Sequence, residues 1–163
     1  DDNSVRVKLS STVCRNVLFV SIIISGVLFA GSDLIVKYIL GSDFDGAQIL
    51  LRLLLPGIAA GSVSKVLSNY VAAVGKPEVN LYIALLSVLT AIGLDVLFLP
   101  KFGVIIAPLV SSIAYILSAA IVTVYYHRRT GISYKTILLI NKSDIVKYQA
   151  LTRRIIGIRK KAV

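Results

Sequence analysis

Residues 47–75 read AQILLRLLLPGIAAGSVSKVLSNYVAAVG, a largely apolar run of 29 residues. Coiled as a helix, it rises about 43 Å, more than the about 30 Å of hydrocarbon in a bilayer. Its only charges are Arg52 and Lys65, and Pro56 lies near its middle. A charge inside such a span is unfavourable by roughly 2.5–3.5 kcal/mol on insertion scales, so each one needs a physical reason. On a helical wheel Lys65 is flanked by Gly61, Ser62, Ser68, Asn69 and Ala72. Leu53, Ile58, Ala60, Val63, Val71 and Val74 cover the other side. One face is small and polar while the rest suits lipid or a packed helix, the pattern expected of a cavity wall.

The rest of the chain has the same character. Apolar residues make up 56% of it and charged residues 16%, with a mean hydropathy of +0.85. Soluble domains usually carry about 25% charged residues. The charges here are pushed into short gaps and towards the ends, which identifies an integral membrane protein. A net charge of +10 raises nucleic acid as a partner. The basic residues flank apolar spans, however, as membrane topology requires, and no nucleic-acid partner is expected. Cys14 is the only cysteine, so an internal disulfide and a cysteine metal cluster are excluded.

Four spans are expected, over residues 17–40, 47–75, 79–99 and 104–126. Residues 1–16 are polar and mixed in charge, and read as an aqueous flank leading into the first span. Asp33 and Lys37 follow its apolar part at a spacing of four, which places them on one face as an ion pair. GSDFDG at 41–46 and PKFG at 100–103 read as turns, and Gly75 and Pro77 stop the second span. Pro108 falls in an early turn of the fourth span, where a missing donor does least harm. Tyr125 and Tyr126 meet His127, Arg128 and Arg129 as an interfacial anchor. Residues 127–163 form a basic tail. Within it, Ser143 and Asp144 open an amphipathic helix to about Ile156, suited to lie on an anionic lipid surface.

Topology follows from the same charges. Arg6, Lys8, Arg15, Lys76 and the ten basic residues of the tail fall on one side, fourteen in all. Only Lys101 falls on the other, so the positive-inside rule puts both termini in the cytoplasm, in a multi-pass protein of the cell membrane. The chain opens with Asp1 and contains no methionine, so the expectation is a piece of a longer protein.

Three stretches resemble the C-terminal part of polysaccharide biosynthesis membrane proteins. These are lipid-linked oligosaccharide flippases of the multidrug/oligosaccharidyl-lipid/polysaccharide exporter superfamily. LGSDFDGAQILLRLLLPG from Leu40 is similar to that family's Leu-x-Gly-x-x-Phe-x-x-Ala lead-in to a late helix. SNYVAAVGKPEVN from Ser68 is similar to its Gly-Lys turn between helices. LDVLFLPKFGVIIAPLVSSIAY from Leu94 is similar to its Asn-x-x-Leu-Ile-Pro-x-x-Gly hairpin and small-residue helix. Two departures are Ile106-Ala107-Pro108, where the family commonly has Gly-Ala-Ala, and Asp95, where it more often has an uncharged residue. The first puts close packing of the fourth span in question.

The resemblance implies an all-α polytopic bundle: four transmembrane helices plus the C-terminal interfacial helix, as the end of a 12–14-span, two-lobe transporter. It also implies a substrate, a lipid-linked oligosaccharide with an anionic pyrophosphate headgroup, and the remaining N-terminal spans as a partner. Moving such a headgroup across hydrocarbon requires a wet, cationic cavity with amide and hydroxyl donors. Lys65, Ser68 and Asn69 are the expected substrate-binding residues, with Arg52 towards the outer mouth and Asp95 as a coupling group or counter-ion. Plainer roles stand beside these: Lys65 snorkelling or paired with a carboxylate outside this chain, Arg52 as an interfacial anchor, and Asp95 as a local ion-pair partner. Two other classes remain, a four-helix assembly subunit and a drug or cation exporter of the same superfamily. An enzyme is not expected, since there is no metal-ligand spacing, no nucleophile–base set and no phosphate-binding glycine loop. No cofactor or metal is implied.

Overall fold

The computed structural model describes residues 2–44 and 46–140, and it is helical almost throughout. The elements are α1 (Asp2–Ile35), α2 (Ala47–Ala73), α3 (Pro77–Phe102), α4 (Ile106–Thr130) and the short α5 (Tyr134–Leu138). Among the described residues, three continuous helical stretches are long and apolar enough to cross a bilayer: Ser4–Ile39, Ala47–Ala73 and Pro77–Thr130. The last of these spans 54 residues, far more than one crossing uses, because it holds both α3 and α4. A 3-10 turn at Gly103–Ile105 separates the two, and Gly103 adopts a φ of 69°. The chain then doubles back, so that Ile83 of α3 joins Ala119 and Val122 of α4 in one buried cluster. The protein is a helical membrane bundle.

α1 starts earlier than its apolar run. Residues 2–16, expected as an aqueous flank, continue the same helix, and no glycine or proline interrupts the chain before Gly26. Ser11 and Cys14 are buried, and Val7 and Leu18 pack beside them, a spacing of four, three and four that gives the helix a packing stripe. The stripe meets α4, where the buried Tyr126 donates to the Val7 carbonyl (2.8 Å) and lies 2.9 Å from the Ser11 hydroxyl. The Tyr126 ring also meets Tyr70 of α2 edge-on, with centroids 4.8 Å apart. Three helices converge there on a phenol whose polar end is fully used.

At its other end α1 widens into a π-helical turn, Val36–Leu40, which closes on Gly41 at φ 91°. The wider turn breaks the four-residue register on which an Asp33–Lys37 pair depends. Asp33 pairs across the bundle with Arg52 instead, at 2.7 Å.

α2 sits centrally, against α1 on one side and α4 on the other, while α3 rests mainly on α4. Pro56 lies inside α2, and α3 continues through Pro100 to Phe102 rather than turning at residue 100. The α2–α4 contact is closest at Gly57. A Cβ there would overlap the Ser112 Cα and lie 2.7 Å from the Ser112 Oγ. That hydroxyl donates to the carbonyls of Leu53 (2.5 Å) and Leu54 (3.2 Å), in the turn where Pro56 weakens the helical ladder. Close packing of α4 is therefore achieved one turn past Ile106-Ala107-Pro108, by a serine against a glycine. The rest of α3 turns Leu81, Leu85, Val88, Leu89, Ile92 and Val96 outward, a surface suited to lipid or further helices.

At the far end of α4, Gly131 at φ 73° ends the helix. His127 Nδ1 lies 2.7 Å from the Ile132 carbonyl and its ring lies 4.2 Å from that of Tyr134. This turn delivers α5, which buries Ile137 against α1. The amphipathic helix expected from Ser143 lies outside the described residues.

Two substitutions separate the tight contact from its neighbourhood. Gly57→Ala should lower stability in detergent by about 1–3 kcal/mol, because neither backbone can yield. Gly61→Ala, whose Cβ would meet Tyr115 at an ordinary 3.8 Å, should leave it unchanged. Thermal unfolding of the two variants compares them directly. By the same measurement Tyr126→Phe should cost about 0.5–1.5 kcal/mol, since Ser11 keeps its own 2.9 Å bond to the Val7 carbonyl.

Candidate functional site

The polar face of α2 opens onto a cavity of about 740 Å³. Gly61, Ser62, Ser64, Lys65, Ser68 and Asn69 of α2 line it, joined by Ser21 of α1, Asn80, Ile83 and Ala84 of α3, and Tyr115 and Ser118 of α4. The helical repeat of α2 brings residues three and four apart onto one wall, and that is why Lys65 shares this space with Ser62, Ser68 and Asn69. The opposite side of α2 is spent on packing, with Val63, Leu67 and Val71 buried.

Several of the lining groups also hold the walls together. Ser64 and Ser118 hydroxyls lie 2.8 Å apart and tie α2 to α4. Asn80 donates from Nδ2 to the Ser68 carbonyl (2.9 Å), fixing α3 against α2, while its buried Oδ1 has no hydrogen-bond partner. Ser62 donates to the Ala59 carbonyl (2.7 Å). Lys65 and Asn69 are exposed, and Asn69 also borders a smaller cavity lined by Arg6, Ser10 and Tyr70 towards the end of α2. The result is a cleft with one ammonium group and a set of hydroxyls and amides, and with no carboxylate among the described residues lining it. Such a set binds an anion at one point and polyhydroxylated groups around it. The Asn80 Oδ1 is the kind of acceptor a sugar hydroxyl satisfies.

Lys65, Ser68 and Asn69 thus fall together, and Arg52 and Asp95 do not join them. Arg52 donates from Nε to the Ser32 Oγ and from Nη2 to the Asp33 Oδ2, both at 2.7 Å, and its guanidinium lies 5.4 Å from the centroid of Phe29. It is engaged as a tie between α1 and α2. Asp95, on α3, is half-buried, and its Oδ1 has no hydrogen-bond partner. Ser21, Ser64, Asn80, Tyr115 and Ser118 are the members that sequence reasoning missed. The periodicity of one helix shows which of its residues share a face, and it carries no information about which neighbour completes the wall. A serine or asparagine recurring within an otherwise apolar span is the only sequence signal they offer.

Among the described residues no group of histidine, cysteine, aspartate and glutamate side chains is placed to hold a metal. No curated protein and no solved structure matches the chain. The family model described as "Lipid II flippase MurJ" matches residues 1–160, nearly the whole sequence. That family moves a lipid-linked precursor and does no covalent chemistry on it. It belongs to the expected exporter superfamily, and the match does not reach to the polysaccharide biosynthesis proteins whose motifs the sequence resembles. The chain is a member of the lipid II flippase MurJ family, a multi-pass membrane transporter and not an enzyme.

Proposed function

We propose that the Lys65 cleft receives the charged headgroup of a lipid-linked glycan precursor during its passage across the cell membrane, with lipid II as the substrate. The observation that carries this reading is the company Lys65 keeps: an exposed ammonium in an apolar span, within one cavity with Ser62, Ser68, Asn69 and Asn80. The lysine meets the pyrophosphate as a mobile point charge, while the hydroxyls and amides exchange hydrogen bonds with the sugars. The polyprenyl tail stays in the bilayer, alongside apolar helix surface such as that of α3. A lysine can release its ligand on the far side, since its ammonium on a flexible stem is not a rigid bidentate clamp.

Orientation supports the same reading. Arg6 donates to the Ala73 carbonyl at 3.4 Å and Tyr126 reaches Val7, so the start of α1 and the ends of α2 and α4 share one end of the bundle. That end carries the basic excess, and we place it in the cytoplasm, where the precursor is made. Asp95, with its unpartnered Oδ1 outside the cleft, is the proposed site through which an ion gradient or potential is coupled to transport.

Flipping of a fluorescent lipid II analogue in proteoliposomes tests the assignment. Lys65→Ala should reduce the rate about 10- to 100-fold, the worth of a charge-assisted contact, and Lys65→Arg should keep most of it. Arg52→Ala should lower thermal stability while leaving transport per folded molecule within about twofold. Undiminished flipping by Lys65→Ala would sink the assignment of the headgroup to this cleft, whereas no flipping by the unaltered protein would favour an exporter of cations or drugs.

A further inference from the structure

Towards the basic end of the bundle, a second cavity of about 350 Å³ lies between α1 and α2. It meets the Lys65 cleft at Asn69, which lines both. One face of α1 walls the two spaces as well: Ser10 here and Ser21 in the larger cleft are eleven residues apart, three turns of helix. Arg6 donates to the Ala73 carbonyl (3.4 Å) across the far end of this groove and ties α1 to α2 there. From Arg6 to Val13 the helix rises about 10 Å, the length of about three residues of extended peptide. The uncharged run of α1 begins only at residue 16, so the groove lies at headgroup depth and not in hydrocarbon.

The lining is mixed. Leu9, Val13 and Val66 supply apolar walls, while Ser10 and Asn69 supply polar groups. Neither of these two polar side chains makes a hydrogen bond among the described residues, so both are available to a ligand. A carboxamide donates and accepts, as a peptide unit does, and the two are complementary. An acyl chain in the groove would leave Asn69 and Ser10 unpaired, and a sugar would set its hydroxyls against the apolar walls. An extended peptide with small side chains suits both kinds of wall.

On the reading that the Lys65 cleft takes the pyrophosphate and sugars, we propose that this groove holds the short peptide that lipid II carries on one of its sugars. Asn69 stands at the junction and pairs with the peptide unit nearest the sugar, Ser10 pairs with a later one, and Leu9, Val13 and Val66 face the small side chains. A lipid-linked glycan without a peptide fills the cleft alone and loads more weakly. The groove is the part of the site that selects among lipid-linked precursors, and it acts while the precursor is taken up at the basic end of the bundle.

The test is flipping by the full-length protein in proteoliposomes, run side by side with a fluorescent lipid II analogue and the same analogue made without its peptide. Both are kept well below saturation, because a loading site acts on affinity. The unaltered protein should move the peptide-bearing lipid about 10-fold faster, the worth of one or two hydrogen bonds. Val13→Trp puts an indole into the groove from an exposed position, and should bring the peptide-bearing lipid down to the rate of the other, which itself changes less than twofold. Ser10→Ala, a smaller change, should slow the peptide-bearing lipid alone by about threefold. Val20→Trp, exposed on α1 and lining neither cavity, should alter neither rate. Lys65→Ala should slow both lipids alike, so a failure of the cleft assignment shows in that variant and leaves the Val13→Trp comparison intact. Three results would each overturn the proposal: no preference for the peptide-bearing lipid, an equal loss of both lipids in Val13→Trp, or unchanged rates in both Val13→Trp and Ser10→Ala. The second would make the groove a passage for the whole headgroup.

Discussion

A lysine carried in the middle of a membrane helix is tolerated only where water, an opposite charge or a polar wall reaches it. Lys65 imposes that condition on this bundle, and the arrangement around α2 answers it. Four helices bring hydroxyls and amides to one side of Lys65, while the opposite side of α2 is filled by the buried Val63, Leu67 and Val71. A helix with this division cannot rotate without pushing its ammonium into apolar packing. The polar face thus fixes the rotation of the central helix, and the bonds Ser64–Ser118 and Asn80–Ser68 fix its neighbours against it.

The contact that sets the spacing of the bundle lies half-way along α2. Gly57 lets the Ser112 backbone approach, and the Ser112 hydroxyl then serves carbonyls of the turn containing Pro56. Proline, glycine and serine meet in one region here: the proline loosens the backbone, the glycine removes the obstacle, and the serine hydroxyl bonds to the Leu53 and Leu54 carbonyls of the same turn. With α2 and α4 close at that point, space remains for the cleft beside Gly61 and Lys65. The Arg52–Asp33 pair and the Tyr126 cluster hold α1 to the other side, one near each end of α2.

What could be read from the sequence follows from what a single helix encodes. The grouping of Lys65, Ser68 and Asn69 needs only the repeat of 3.6 residues, and the structure keeps them together. The apolar runs likewise identify a helical membrane bundle, and Gly75-Lys76-Pro77 marks a true helix boundary. Arg52 could not be placed that way, because its partners Ser32 and Asp33 belong to another helix. The i,i+4 rule offered Lys37 as the partner of Asp33, and a π-helical turn that no composition signals removed it. The continuation of α1 back to Asp2 was hidden by polarity, since Ser11 and Arg15 look aqueous until α4 and α5 are seen to cover them. The resemblance to polysaccharide flippases identified the superfamily but not the family, whose match is to lipid II flippases.

A cleft that receives a charged headgroup requires position 65 to face water within the membrane. Cys14, the only cysteine in these 163 residues, is fully buried, so it does not compete with a cysteine placed at 65. In intact membranes, Lys65→Cys should react with a membrane-impermeant charged maleimide, while Val88→Cys on the outer surface of α3 should resist it. A cysteine at 65 that stays unreactive from both sides until the membrane is dissolved would mean that no water reaches the cleft and that Lys65 meets no headgroup there.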